Sequence, residues 1–285
     1  MPERPGSGLL PSALEAPLTP RFQHGGVQVV PGVPYVDLPG VRSPELDLYL
    51  PPDADGAPVV VFLHGGGWRL GSRRLVGPMY AAPAPSPFVA LAERGLAVAS
   101  VDYRLSGEAV WPAQLQDASA AVAWLRARGA EVGVDTDRMG AWGESAGAQL
   151  AAMLGVRGEV AAVAAWYPPT DLAAIAPVLG ADPAATGSRE ALLLGGAVTA
   201  QREAAASASP ALQVRAGAPP FLLLHGEADR LMPVDQSRRL HRALLEAGAA
   251  VELHTYPGAD HMWLGTPDVA DDALTRTIGF LQRVL

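Results

Sequence analysis

Five apolar runs recur along the chain with helix-length segments between them: 58–64 (PVVVFLH), 96–103 (LAVASVDY), 138–143 (RMGAWG), 160–167 (VAAVAAWY) and 219–226 (PPFLLLHG). Strands buried on both faces read in this way, because the helices that connect a parallel sheet cover both of its sides. A further run, 250–256 (AVELHTY), alternates, as does 46–51 (LDLYLP), and a shorter strand candidate lies at 28–30. Segment 112–129 places Leu115, Ala118, Val122 and Leu125 on one helical face behind a proline suited to a first turn. The last segment repeats that spacing at Leu274, Ile278, Leu281 and Leu285. Strand and helix in this alternation predict an α/β fold, with a mostly parallel central sheet, helices on both faces, and one domain over residues 1–285. Ligands of such a sheet bind beyond the carboxyl ends of its strands, so the functional residues are sought there.

Three segments fall outside the alternation. Residues 1–25, rich in Pro, Gly and Ala, read as an N-terminal arm; 71–88 is a long loop suited to a pocket rim; and 168–219 is a possible cap or insert containing a helix or two. The formal charge of −8 argues against nucleic acid or an anionic membrane as a partner. No apolar run approaches the roughly 18 residues that span a bilayer, and the amino terminus lacks the pattern of a secretory signal, so the expected location is cytoplasmic. The chain has no cysteine, and all 21 of its basic residues are arginine. Thiol nucleophiles, disulfides, lysine Schiff bases and the P-loop lysine are thereby excluded. No cofactor or metal is expected.

The run at 58–64 leads directly into Gly65, Gly66 and Gly67. Three glycines beside a core strand are expensive in backbone entropy unless the backbone itself has a role there. A second glycine pattern suggests what that role is, since Gly143, Ser145 and Gly147 form G-x-S-x-G between a strand and an apolar helix. A serine on such a turn presents its oxygen outward as a nucleophile, and residues lacking Cβ let strand and helix approach closely. Serine then needs a base. Of the six histidines, His24 lies in the arm, His241 in a helix, His254 in a strand, and His64 and His225 run straight into glycine. His261, in the loop PGADHMW after the last strand, is the candidate base.

The acid is expected between serine and histidine, after the intervening strand. Asp229 fits best; Glu227 and Asp260 compete, although a carboxylate adjacent in sequence to the histidine tends to point away from its ring. Asp102 and Asp117 read as capping or salt-bridging residues, and Glu144 as a group supporting the nucleophile. Attack on an ester creates an oxyanion, which prepositioned backbone N–H groups stabilise. One such donor is expected at Ala146 and the others in the glycine loop.

The motifs HGGGW (64–68), DYRL (102–105), GESAG (143–147), HGEADRLMP (225–233) and GADH (258–261) resemble those of the α/β-hydrolases. The likeness is greatest to the hormone-sensitive-lipase-like and feruloyl-esterase-like (BD-FAE type) esterases and to their kynurenine-formamidase-like neighbours, and it covers residue 45 to the C-terminus. It implies the α/β-hydrolase fold, with Ser145, Asp229 and His261 as catalytic residues, Gly66, Gly67 and Ala146 as oxyanion donors, and His64 as a brace for the loop. The implied activity is hydrolysis of small carboxylic esters through an acyl-enzyme. Arylformamidase, serine peptidase and a ligand-binding receptor on the same scaffold are the rival readings. Gly65 is expected to turn the chain off its strand. Trp68, Tyr103, Trp111, Trp166 and Tyr167 lie near strand ends and are candidates for lining a substrate pocket, with core packing as the competing reading of each.

Overall fold

The structure, a computed structural model, describes residues 13–40, 42–80 and 86–285. Among these residues nine strands form one sheet: β1 Phe22–His24, β2 Val27–Pro34, β3 Glu45–Leu50, β4 Ala57–Leu63, β5 Ala97–Val101, β6 Val134–Glu144, β7 Ala162–Trp166, β8 Phe221–Gly226 and β9 Val251–Tyr256. Eight α-helices accompany them: α1 Pro87–Ala92, α2 Ala113–Arg128, α3 Ala146–Val156, α4 Leu172–Val178, α5 Arg189–Leu194, α6 Arg202–Ser207, α7 Asp235–Glu246 and α8 Pro267–Val284.

The strand order is β1-β2-β3-β5-β4-β6-β7-β8-β9. β1, β2, β3 and β5 pair antiparallel, and every pairing from β5 through β4 to β9 is parallel. After β4 the chain lays β5 on one side of it and β6 on the other. The order therefore reverses beside β4, and a crevice opens above its carboxyl end.

Alternate residues of the central strands feed two cores. Val59, Val61 and Leu63 of β4 pack with Leu115, Val122, Leu150, Leu154 and Leu240 of α2, α3 and α7 on one face. Val60 and Phe62 pack with Phe88, Leu91, Ile278 and Leu281 of α1 and α8 on the other. Two-faced burial of this kind explains why Val59–Leu63 is apolar at every position. β9, at the sheet edge, has no fully buried residue, in keeping with its alternating sequence.

Two expectations need correction. Within the segment read as an arm, residues 1–12 lie outside the described residues, but Phe22–His24 joins the sheet as β1, in register with Val27–Val29. The insert at 168–219 is richer than a helix or two: it contains α4, α5, α6 and a 3-10 turn at Pro210–Leu212. Among the described residues no helix is long and apolar enough to cross a membrane.

Candidate active site

Ser145 stands between β6 and α3 at φ 50°, ψ −119°, a conformation L-residues avoid. Its neighbours hold it there. A Cβ on Gly143 would meet the Gly147 carbonyl oxygen at 2.4 Å, and one on Gly147 would meet the Leu63 oxygen at 1.9 Å. The turn is closed by the Ser145 N–H donating to the Trp166 carbonyl of neighbouring β7 at 2.9 Å. The two glycines are thus obligatory packing positions between β4, β6 and α3, and the hydroxyl they expose sits at the amino end of an eleven-residue helix.

β9 ends at Tyr256, and the following loop brings His261 over the serine: His261 Nε2 lies 3.1 Å from Ser145 Oγ. His261 Nδ1 lies 2.6 Å from Asp229 Oδ2, in the loop after β8. The other oxygen of Asp229 accepts the Leu231 and Met232 N–H groups at 2.9 and 2.7 Å. Burial alone would raise the pKa of this carboxyl. Hydrogen bonds from His225 and His261, with the Met232 amide, outweigh it and hold Asp229 well below the usual carboxylate range. Asp229 is therefore a fixed anion behind the imidazole.

The rival acids are engaged elsewhere. Asp260 Oδ1 accepts the His261 and Arg230 N–H groups at 2.8 and 3.0 Å, and its Oδ2 pairs with the Arg230 guanidinium at 2.7 Å. It shapes the histidine loop. Glu227 accepts the Thr255 hydroxyl at 2.7 Å. His225 is held between the Ser237 hydroxyl and the Met232 carbonyl, at 2.7 and 2.8 Å, and so braces the acid loop.

The glycine loop after β4 faces the same space. Its left-handed residues are Gly66 (φ 114°), Gly67 (φ 60°) and Trp68 (φ 58°). Gly65 is not among them, so the turn begins one residue later than the sequence suggested. Gly65 instead makes room for Glu144: a Cβ there would stand 3.1 Å from Glu144 Oε1, which accepts the Gly65 and Gly77 N–H groups at 3.3 and 3.1 Å. Among the described residues the N–H groups of Gly66 and Gly67 have no acceptor, and Ala146 opens α3, where an N–H has no intrahelical partner. Among the described residues these three N–H groups are unpaired; Gly66 and Gly67 line one cavity with Ser145, and Ala146 follows it in the chain. His64 packs face to face on Tyr103, rings 4.3 Å apart, and contacts the Gly65 carbonyl at 2.7 Å. Burial pushes its imidazole below the usual histidine pKa. Asp102 and Asp117 pair with Arg73 and Arg104 respectively.

The BD-FAE family model matches residues 46–244, well over half of the chain. The chain belongs to the BD-FAE family. It is 33% identical over 239 residues to Esterase LipQ of Mycobacterium tuberculosis, covering 78% of this chain and 55% of LipQ. The chain spans about half the length of LipQ, LipC and LipM, three of the curated relatives it matches. A truncated carbohydrate esterase from gut microbiota superposes with a TM-score of 0.76 at 25% identity, over 94% of this chain and 98% of that one. The butyrate-bound esterase Est2 of Thermogutta terrifontis gives a TM-score of 0.71 at 25% identity, over 91% and 95%. The fold is that of the α/β-hydrolases.

In this BD-FAE protein the cavity at the serine has a volume of about 250 Å³ and is lined by Gly66, Gly67, Ser145, Arg189, Leu231 and His261, among others. None of the aromatics expected to line it does so. Trp166 is fully buried and donates to Thr277 Oγ1 at 2.8 Å; Trp68 donates to Gln149 Oε1 at 3.1 Å; Tyr103 donates to the His64 carbonyl at 2.8 Å. Trp111 donates to Ser207 and lines a separate cavity. Each ring carries a polar tip that finds a fixed partner within the protein, and that requirement outweighs exposure to a ligand. Tyr167 comes nearest to the site, packing beneath His261. Arg69, Arg189, Leu231 and Met262 escape a reading of the sequence as cavity residues because they sit in loops or at a helix start, where no periodicity marks a face. Among the described residues no group of three or more His, Asp or Glu side chains is placed to hold a metal.

Proposed function

We propose that this protein is a serine carboxylesterase acting on short carboxylic esters through an acyl-enzyme intermediate. The observation that carries the reading is the unbroken line from Ser145 Oγ to His261 Nε2 (3.1 Å) and from His261 Nδ1 to Asp229 Oδ2 (2.6 Å), beside free N–H groups. The esterase names of LipQ and the superposing structures support it.

In the proposed sequence His261 takes the hydroxyl proton as Ser145 attacks the ester carbonyl. The tetrahedral oxyanion is met by the N–H groups of Gly66, Gly67 and Ala146. His261 returns the proton to the departing alcohol, and water then repeats the sequence and frees the acid. Asp229 fixes the imidazole tautomer and stabilises the imidazolium, remaining ionised throughout. The cavity is smaller than the roughly 300–1,000 Å³ of sites for drug-sized ligands, which favours short acyl chains.

The test is hydrolysis of an ester series from acetate to octanoate, beside N-formylkynurenine and an aminoacyl amide, by the wild type and Ser145→Ala. Acetate and butyrate esters should be preferred. Ser145→Ala should lose at least about 10⁴-fold in kcat. Undiminished hydrolysis by that variant would overturn the mechanism, and faster turnover of the formamide or the amide would replace the ester with that substrate.

A further inference from the structure

Beyond the reacting groups, the wall of the serine cavity is basic. Arg189, the first residue of α5, lies across the glycine loop: a Cβ on Gly67 would stand 2.7 Å from its Cδ. Its Nη2 donates to the Leu231 carbonyl at 3.1 Å. One side chain of the insert thus spans the cavity from the oxyanion loop to the acid loop. Arg69, exposed and two residues beyond Gly67, lines the same space.

Among the described residues neither cation holds a carboxylate at hydrogen-bond distance. Among the described residues Arg69 forms no ion pair, and the one carboxylate in range of Arg189, Glu190, stands off at 4.0 Å from Nε. A guanidinium has five N–H donors, of which only the bond to Leu231 is made among the described residues. Of the residues lining the cavity, Glu144 alone carries a carboxylate, and both of its oxygens are occupied by Gly65, Gly77 and Tyr167. Arg73, Arg104, Arg230 and Arg276 each hold a carboxylate at 2.6–2.7 Å, whereas Arg74, Arg94 and Arg126, like Arg69, form no ion pair among the described residues; what sets Arg69 and Arg189 apart is their place on the cavity of the nucleophile. Arg69, without an ion pair among the described residues, and Arg189, with only a loose pair to Glu190, both line the cavity of the nucleophile and can receive a negative charge there.

We infer that the cavity selects short esters carrying an anionic group, with Arg189 as the residue that reads the charge and Arg69 in support. The inference rests on the esterase reading. A carboxylate on either half of the ester would find the planar fork of Arg189, which donates to two oxygens at once. The more exposed Arg69 supplies a weaker, solvent-screened attraction.

Two isosteric substrate pairs test this. Monomethyl succinate against methyl succinamate places the charge on the acyl half, and 4-acetoxybenzoate against 4-acetoxybenzamide places it on the leaving half. The readout is the ratio of kcat/KM for the charged over the neutral member. For at least one pair the wild type should give a ratio of about ten or more, as expected for a charge-assisted contact. Arg189→Gln should bring that ratio down to near one, mainly through KM for the charged ester, and Arg189→Lys should restore part of it. Arg69→Gln should lower it by less. The pair that responds identifies the half of the substrate that meets Arg189. Ratios near one for both pairs in the wild type, or a preference that Arg189→Gln leaves intact, overturn the inference while leaving the esterase reading in place. If no member of either pair is hydrolysed in a Ser145-dependent way, the esterase reading itself fails.

Discussion

Tyr167 packs against His261 with ring centroids 4.5 Å apart, and its hydroxyl donates to Glu144 Oε2 at 2.9 Å. The same residue therefore supports the imidazole with its ring and the glycine-loop brace with its hydroxyl. Tyr167→Phe keeps the ring and removes the donor, leaving one oxygen of a buried carboxylate without a partner. A loss of about 1–3 kcal/mol in stability follows, measurable by urea denaturation. Tyr167→Ala should also lower kcat, because His261 loses the surface it rests on. Equal kcat for the Phe and Ala variants would refute the supporting role of the ring.

The two candidate acids make different contacts, and their variants should differ accordingly. Asp229→Asn keeps the size but offers an amide to His261 Nδ1, which disfavours the productive tautomer; a fall in kcat on the order of 10⁴ is expected. Asp260→Asn weakens the Arg230 pair, while its retained oxygen can still accept the His261 N–H, so the fall should stay below about tenfold. A surface-exposed pair of this kind contributes little. The reverse ranking in steady-state kinetics would move the acid to Asp260.

Gly66 is held by sterics as well as by function. With φ at 114°, a Cβ would stand 2.0 Å from the Leu70 carbonyl oxygen, which is backbone and cannot swing aside. Substitution must therefore rebuild the loop and not merely fill the cavity, and folding suffers alongside turnover. Gly66→Ala should lose about 1–3 kcal/mol of stability and at least about 10²-fold in kcat through displaced N–H donors. Thermal unfolding and initial rates on one ester measure the two effects. Wild-type stability with wild-type turnover would show that the loop tolerates a side chain.

The parts of the site that are legible in the sequence are those where chemistry restricts the residue type. The G-x-S-x-G turn needs its glycines because Gly143 and Gly147 are pressed against backbone. Ser145 and Asp229 can be placed because each follows an apolar run of the kind a buried strand carries, and His261 because it follows the alternating run of the edge strand β9. What escapes is set by long-range packing. Which of three consecutive glycines turns left-handed depends on the position of Leu70 and Glu144, and neither is encoded in the run itself. Aromatics near strand ends look alike in sequence, yet Trp166 points into the core beneath α8 while Tyr167, the next residue, points towards His261. β1 is three residues long, too short for alternation to register. The cavity wall draws Arg189 from the insert, where none of the motifs read from the sequence lies.

Glu144 gives the protein a pH response opposite to that of Asp229. Burial raises its pKa, more than the Gly77, Tyr167 and Gly65 hydrogen bonds lower it. The folded state then binds a proton that the unfolded chain, with an ordinary glutamate near about 4.3, has already released. Stability contributed by this site is present below the unfolded value and declines as pH rises through the higher folded one. For Asp229, whose folded pKa is depressed, stability is instead present above the unfolded value and is lost as pH falls. Glu144→Gln should remove the first response and keep the contacts, since its oxygen can accept the Gly65 and Gly77 amides while its NH₂ donates to the Tyr167 hydroxyl. Urea midpoints measured from about pH 4 upward should accordingly decline less with rising pH in Glu144→Gln than in the wild type. Glu144→Ala, which releases both loop amides, should lower kcat by about tenfold or more, less than losing an oxyanion donor outright. Parallel pH–stability curves for wild type and Glu144→Gln would show that Glu144 is ionised in the fold without penalty.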